Sequence, residues 1–409
     1  MPPYLTPGVY VEEVAGTPPI AGVGTSTAAF LGEVPDNKVV MPERPGSPKD
    51  GNKILYDLAP AGVPQRITNW GQFQTLFGGI QADNKVLAHA VLGFFLNGGT
   101  ACHVVRVVSF TASGGAGEDG AGKAVTVDTA LDALARIDEI ALVVAPGAGV
   151  AVQKKVVEHC VNAGDRFAIL DGKYDPQSTD VKQDTIVDGV GESPHAALYF
   201  PYLLVADPDG EDVDRRFQVP TTAVPPSGHV AGVYARVDAQ RGVHKAPANE
   251  VVRGALGLTR QLTDGEQEGL NPGGVNVIRN FNGSILVWGA RTLGGDANGE
   301  YKYVNVRRLM TFLSESLQEG TRFAVFEPNS APLWQRIKRS VTAFLTLVWR
   351  DGALLGETPE QAFYVTCDES TNPPDVREAG RVVTEVGVAV VKPAEFVIFK
   401  ISQTTGTAS

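Results

Sequence analysis

The sequence predicts a multi-domain protein of mixed class: an α/β body, an α+β C-terminal part, and extended strand arms at both ends. Three observations carry this. Between residues 125 and 206 helical and strand patterns alternate, as βαβ units around a mostly parallel sheet require. Beyond residue 300 the pattern changes to two long amphipathic helices followed by a strand. Both ends carry short β-prone runs next to proline, with no strand of their own to pair with.

The elements follow in order. Pro2, Pro3, Pro7, Pro18 and Pro19 bracket Val9-Tyr10-Val11. Proline at this density forbids helix and favours extended chain. The segment reads as a strand that pairs elsewhere, the alternative being a frayed terminus. AAFLGEV reads as a buried strand, and residues 35–64 as a loop region rich in Pro and Gly. ITNWGQFQTLFGG gives a strand end and a short helix. NKVLAHAVLGFFLNGG gives a helix stopped by Gly98-Gly99. HVVRVVSF is a buried strand and SGGAGEDGAGK a loop. ALDALARIDEI, ALVVAP, VQKKVVEHCVNAG, RFAILDG and AALYFPYLLV then alternate helix and strand. PPSGHVAGVYARVDAQRG predicts a helix, and ILVWGARTL at 285–293 a buried strand. YKYVNVRRLMTFLSESLQEG and PLWQRIKRSVTAFLTLVWRDG are the long helices, with AFYVTCDES a strand after them. Residues 396–401, Phe-Val-Ile-Phe-Lys-Ile, carry apolar side chains on both faces of a strand. Such a strand wants cover on both sides and is a poor free edge.

Length and charge narrow the function. A chain of 409 residues corresponds to roughly two or three domains. The 46 glycines and 27 prolines imply many turns, and the net charge of −11 disfavours a surface that grips nucleic acid or an anionic membrane. Cys102, Cys160 and Cys367 are odd in number and show no CxxC, which argues against a disulfide scaffold or a cysteine-rich zinc site and suits a reducing compartment. MPPYLTPGVYVEEV lacks the pattern of a signal peptide, and no run of 18 apolar residues occurs.

Several motifs suggest chemistry and then fail. Gly117–Lys123 fits G-x-x-x-x-G-K, but Ala124 replaces the magnesium-binding hydroxyl, two acids sit inside the loop, and AVTVDT after it is β-prone. Gly24-Thr25-Ser26-Thr27-Ala28 echoes the segment around the nucleophile of subtilisin-like proteases, yet no Asp or His precedes Ser26 as that chain order requires. His89, His103, His159, His195, His229 and His244 show no ligand spacing, and His229 and His244 flank a predicted helix as caps or packing residues. Asp207, Asp209, Glu211, Asp212 and Asp214 run into Arg215-Arg216 where a calcium loop needs its Glu, so a solvated loop is expected. No catalytic residue, metal or cofactor is expected. The helix Ala331–Arg350 is more telling, holding Arg336, Lys338, Arg339 and Arg350 and no acid. At 100° per residue Trp334, Ile337, Val341, Phe344, Leu345 and Val348 share one face, and Arg336, Arg339 and Arg350 the opposite one. That stripe is either an ordinary solvated face or a surface for an acidic partner.

The segments YLTPGVYVEE, GFFLNGGTACHVVRV, PPSGHVAGVYARVDAQRGVHKAPAN, NPGGVNVIRNFNGSILVWGARTL and KPAEFVIFKISQ together resemble the phage tail sheath protein family. The match keeps the family's order over nearly the whole chain. It is strongest from about residue 196 to 403 and weakest over 110–195. The resemblance implies a non-enzymatic subunit that stacks helically around a rigid inner tube, in a phage tail or a contractile injection particle assembled in the bacterial cytoplasm. Its expected partners are further copies of itself, the tube protein, and baseplate and terminal cap proteins, with no nucleic acid and no membrane insertion. It implies a subtilisin-like, non-catalytic body over 22–290, its outer part about 110–195. An inner domain over 291–393 follows. The arms, 1–21 and 394–409, would add strands to neighbouring subunits through Val9, Tyr10 and Val11 at one end and Glu395, Phe396, Val397, Ile398, Phe399, Lys400 and Ile401 at the other. The Arg336/Arg339/Arg350 stripe would face the tube. A sheath-like cap or baseplate-proximal paralogue is the alternative, with a subtilisin-like hydrolase behind it.

Overall fold

The computed structural model describes residues 19–46, 53–110, 125–174, 181–211 and 213–398. Val9–Val11 and Phe399–Ile401 of the expected arms, and the Gly117–Lys123 loop, lie outside them. The first half contains β1 (Ala28–Glu33), β2 (Gln65–Ile67), α1 (Trp70–Phe77), α2 (Lys85–Asn97), β3 (Cys102–Val107), α3 (Val127–Leu134), β4 (Leu142–Val144), α4 (Val150–Ala163), β5 (Phe167–Asp171), α5 (Gln183–Val187), β6 (Ala196–Phe200) and β7 (Leu203–Ala206). There follow β8 (Val213–Asp214), β9 (Val219–Val224), α6 (Ser227–Arg241), β10 (Glu250–Val251), β11 (Ala255–Leu258), α7 (Asp264–Leu270), β12 (Val275–Phe281), β13 (Ser284–Val287) and α8 (Val304–Gly320). Last come α9 (Ala331–Arg350), α10 (Pro359–Ala362), β14 (Phe363–Thr366), α11 (Pro374–Glu378) and β15 (Glu385–Val388). The chain divides into two compact units. The larger runs from Val23 to Glu315 and takes in the segment from Val390; the smaller comprises Ser316–Ala389 with the described residues before Val23.

In the larger unit nine strands form one sheet, ordered β10-β13-β12-β6-β5-β4-β1-β3-β2. The six from β12 to β3 are parallel, and β13, β10 and β2 close the edges antiparallel. The central strands are continuous apolar runs because both faces are covered. Ala28, Phe30, Ile169 and Tyr199 face α2 and α6, while Ala29, Leu31, Leu170 and Leu198 face α3 and α4. The α2–α6 contact is very close. A Cβ on Gly228 would lie 2.5 Å from the Ala90 Cα, and one on Gly232 2.4 Å from the Phe94 carbonyl oxygen. Only glycine at these i, i+4 positions lets the two backbones meet. Gly98 ends α2 in the left-handed region, as Asn97-Gly98-Gly99 predicts.

Three expectations change. AALYFPYLLV is two strands, not one. The chain breaks at Pro201, which has no amide hydrogen to donate, and β7 joins a separate sheet ordered β11-β7-β9-β8. AVTVDT does not continue as strand, because Thr126 caps α3 through a reciprocal bond with Thr129. ILVWGARTL is continuous strand only as far as Val287, and beyond it pairs through isolated bridges, Arg291 with Tyr303 and Leu293 with Ser193.

The smaller unit is built on α9 and the hairpin-like pair β14–β15. Leu333, Trp334, Ile337, Val341, Phe344, Leu345 and Val348 are the buried residues of α9, on the face the helical period predicts. The Trp334 indole donates to Asn329 Oδ1 (2.9 Å), and Asn329 Nδ2 to the Arg381 carbonyl (2.8 Å), so the loop before the helix is fixed.

Candidate assembly site

The described part of the C-terminal arm starts from a built socket in the larger unit. Asn276 of β12, fully buried, donates to the carbonyls of Leu198 (3.2 Å) and Arg291 (2.8 Å) and accepts from the Arg291 amide (2.7 Å). A bridge pairs Arg291 with Tyr303. The main chain therefore sets the Arg291 side chain, which is only 5% exposed. Its Nη1 donates to the Asn271 carbonyl (3.0 Å) and to Asp296 (3.2 Å). Its Nε and Nη2 donate to the two carboxylate oxygens of Glu395, each at 2.8 Å. Asn271 Nδ2 and the Tyr303 hydroxyl add bonds of 2.9 Å to the same carboxylate. Burial pushes the Glu395 carboxyl up, but the bonds from Arg291, Asn271 and Tyr303 outweigh it and hold it below the usual range. Burial also raises the Tyr303 phenol, and the hydrogen bond to Glu395 adds to this.

One residue further on the arm is exposed. Phe396, Val397 and Ile398 are 71%, 71% and 79% accessible and belong to no strand. Of the predicted arm residues, Glu395 is thus bound within its own chain and the three after it are not. The socket residues Asn271, Asn276, Arg291 and Tyr303 escaped the sequence reading. The one local signal was an arginine at the end of the apolar run ILVWGARTL.

The smaller unit presents two further surfaces. β14 and β15 pair antiparallel from Phe363↔Val388 to Thr366↔Glu385, and among the described residues neither pairs with a third strand. Tyr364, 59% exposed, lies across Gly387 of the partner strand. On α9, Arg336, Arg339 and Arg350 lie opposite the buried face. Arg339 and Arg350 are exposed, and Arg336 stands over the Phe323 ring at 4.5 Å.

The candidates for chemistry resolve into packing. Among the described residues no group of His, Cys, Asp and Glu is placed to hold a metal. Thr25, beside Ser26, donates to Asp238 (2.7 Å), which also receives Arg308. His229 does not flank its helix but is the third residue of α6, its ring lying against Gly93. The 207–214 run is not wholly solvated: Asp207 is buried and paired with Lys85 at 2.6 Å.

Residues 123–293 match the family described as phage tail sheath protein central domain, and residues 296–404 the phage tail sheath C-terminal domain. A prophage major tail sheath protein of Pseudomonas aeruginosa (strain UCBPP-PA14) is 26% identical over 301 residues, 70% of this chain and 71% of that protein. The sheath of the PVC extracellular contractile injection system in its contracted state is 29% identical, with a TM-score of 0.73 and 99% of each chain covered. The helical sheath of the anti-feeding prophage in its contracted state is 27% identical, with a TM-score of 0.73, covering 98% of this chain and 100% of that one. By sequence and by fold, this chain belongs to the phage tail sheath family.

Proposed function

We propose that the protein is the repeating structural subunit of a contractile sheath. Copies stack helically around an inner tube, and the array shortens to drive the tube through a target envelope. The observation that carries this is a complementary pair of unmet needs. Among the described residues one unit has a two-stranded sheet with no third strand, and the arm leaves the other as an apolar segment, outside any strand, at Phe396–Ile398. An isolated strand pair is marginal in water, and an exposed apolar segment wants a sheet edge. Strand addition between copies answers both, since main-chain hydrogen bonds need little sequence specificity. A head-to-tail contact that does not close generates a helical polymer.

The remaining assignments follow this reading. The nine-stranded body, with helices on both faces, serves as a subtilisin-like but non-catalytic block. Residues 1–21 and 394–409 act as exchanged arms, and 291–393 as the inner domain. Arg336, Arg339 and Arg350 meet acidic groups of the tube, through contacts of about 0–1 kcal/mol each that release as the sheath widens. Baseplate and cap proteins bind the ends of a particle assembled in the bacterial cytoplasm.

Negative-stain microscopy of the purified protein, alone and co-expressed with its tube protein, tests the proposal. Long striated hollow cylinders are expected, and deleting residues 1–21 or 394–409 should abolish them. Monodisperse monomers from the intact chain under both conditions would overturn it.

A further inference from the structure

We infer that Glu395 is the anchor of the C-terminal arm: its carboxylate, seated on Arg291, fixes where the arm leaves its own subunit, so the exchanged strand begins at Phe396. This rests on the strand-exchange reading above.

The socket is organised before the arm enters it. Arg291 is held from behind by the Asn271 carbonyl and Asp296, and its main chain by the buried Asn276. Asp296 is in turn paired with Lys302 at 2.6 Å. Among the described residues the guanidinium's one fully two-pronged contact is with Glu395, and such a fork fixes direction as well as distance. Asn271 and Tyr303 donate to further lone pairs of the carboxylate, so each oxygen accepts two hydrogen bonds. Immediately upstream, Pro393 stiffens the chain, and Asn305 Nδ2 holds the Val391 carbonyl at 3.4 Å. The change from a carboxylate with four donors to a phenylalanine 71% exposed takes one residue. An arm that pulls on a neighbour during contraction passes its load into the body at this point. Without the anchor, the free segment lengthens back toward Val390 and the strand is offered over a wider range of positions.

Two measurements test this on the full-length chain. In limited proteolysis of the monomer, Glu395→Ala should speed chymotryptic cleavage after Phe396 by about tenfold, because a protease needs a freely extended segment on both sides of the bond it cuts, with the body unchanged. Glu395→Asp, which keeps the charge, should recover part of the protection. In microscopy, Glu395→Ala should give short or irregular cylinders and Glu395→Asp longer ones. If Glu395→Ala is cleaved and polymerises like the wild type while deletion of 396–409 abolishes cylinders, the anchor is wrong and strand exchange stands. If the deletion also forms wild-type cylinders, strand exchange falls and the anchor with it.

Discussion

Replacing Arg308 with methionine should destabilise the larger unit far more than a surface substitution can. Arg308 lies in α8 with its side chain 4% exposed, and its partner Asp238 in α6 is 5% exposed. The guanidinium donates to Asp238 at 3.0 and 2.6 Å and to the Thr25 carbonyl at 2.8 Å, and lies 4.8 Å from the Tyr234 ring. Burial disfavours its charge, but Asp238 and the tyrosines Tyr234 and Tyr199 outweigh this and hold its pKa above the ordinary value. Removing the cation leaves a buried carboxylate with only the Thr25 hydroxyl at 2.7 Å, and breaking a buried pair in this way costs about 3–5 kcal/mol. With a urea slope near 3 kcal/mol/M, the unfolding midpoint should fall by roughly 1–1.7 M. Asp238→Leu alone should cost a similar amount. The double variant should cost much less than the sum, giving a coupling of at least ~2 kcal/mol, because two apolar side chains can replace a buried pair. Urea unfolding of the four proteins at one low concentration measures the cycle. Additive costs, or a single-variant loss under about 1 kcal/mol, would refute the argument that the pair pins α8 to α6 and to the entry of β1.

Other consequences can be checked in the same way. Gly232→Ala should lower stability by about 1–3 kcal/mol, since its Cβ meets the Phe94 carbonyl oxygen at 2.4 Å; calorimetry showing no change would mean that α2 and α6 slide apart freely. Burial pulls His89 down to about 4 and His229 to about 3, so stability present at neutral pH should fall as pH drops below 6.5, while Asp171, pushed up to about 6 by burial, opposes this between 3.8 and 6. These three groups together give a loss near pH 5 of about 1.4 kcal/mol per pH unit, to which His159 and His195, also lowered by burial, add in the same direction; Asp171→Asn should steepen the slope, and an unchanged slope in urea midpoints against pH would contradict the assignment. Arg339→Glu with Arg350→Glu should leave the unfolding free energy within about 0.5 kcal/mol of wild type yet reduce the fraction of tubes that are sheathed, most clearly at low salt, where the charges are least screened; full sheathing at low salt would refute the proposed placement of α9 against the tube.

How much of this was legible in the sequence depended on distance along the chain. Helix α2 was readable because its apolar content and its stop, Asn97-Gly98-Gly99, are adjacent. The buried face of α9 was readable because a helical period is a local property. The small sheet was not, since β8 has two residues and β9 contains Pro220, too little for a period-2 pattern to register. The split of AALYFPYLLV was missed because apolar composition continues across Pro201 while the backbone pairing does not. The socket was beyond reach altogether: Asn271 and Glu395 are 124 positions apart, and nothing in either neighbourhood names the other. The apolar character of residues 396–398 was plain, by contrast, because it needs no partner within the chain to be noticed.

The buried arginines tie these observations to one mechanical requirement. In a chain of net charge −11, Arg106, Arg166, Arg236, Arg291 and Arg308 are all buried in the larger unit. Each donates to main-chain carbonyls of connecting or terminal segments. Arg106 takes Val34 and Ala59, Arg166 takes Leu134 and Ile137, Arg236 takes Asn97 and Val251, Arg291 takes Asn271, and Arg308 takes Thr25. A carbonyl at the end of a helix or in a turn is otherwise open to water. Arg106, Arg166 and Arg236 each satisfy two at once, and the planar guanidinium fork fixes their spacing more rigidly than the compact ammonium of Lys on its flexible stem would. Apolar packing alone would hold the layers together but leave the connections free to shift under load. On the proposed strand-exchange reading, a subunit that moves as a block while its arms stay joined to neighbours needs its loops fastened. Substituting these arginines with lysine should therefore loosen loop amides in hydrogen exchange before it exposes the strands, and a loss of strand protection first would place their role in the core instead.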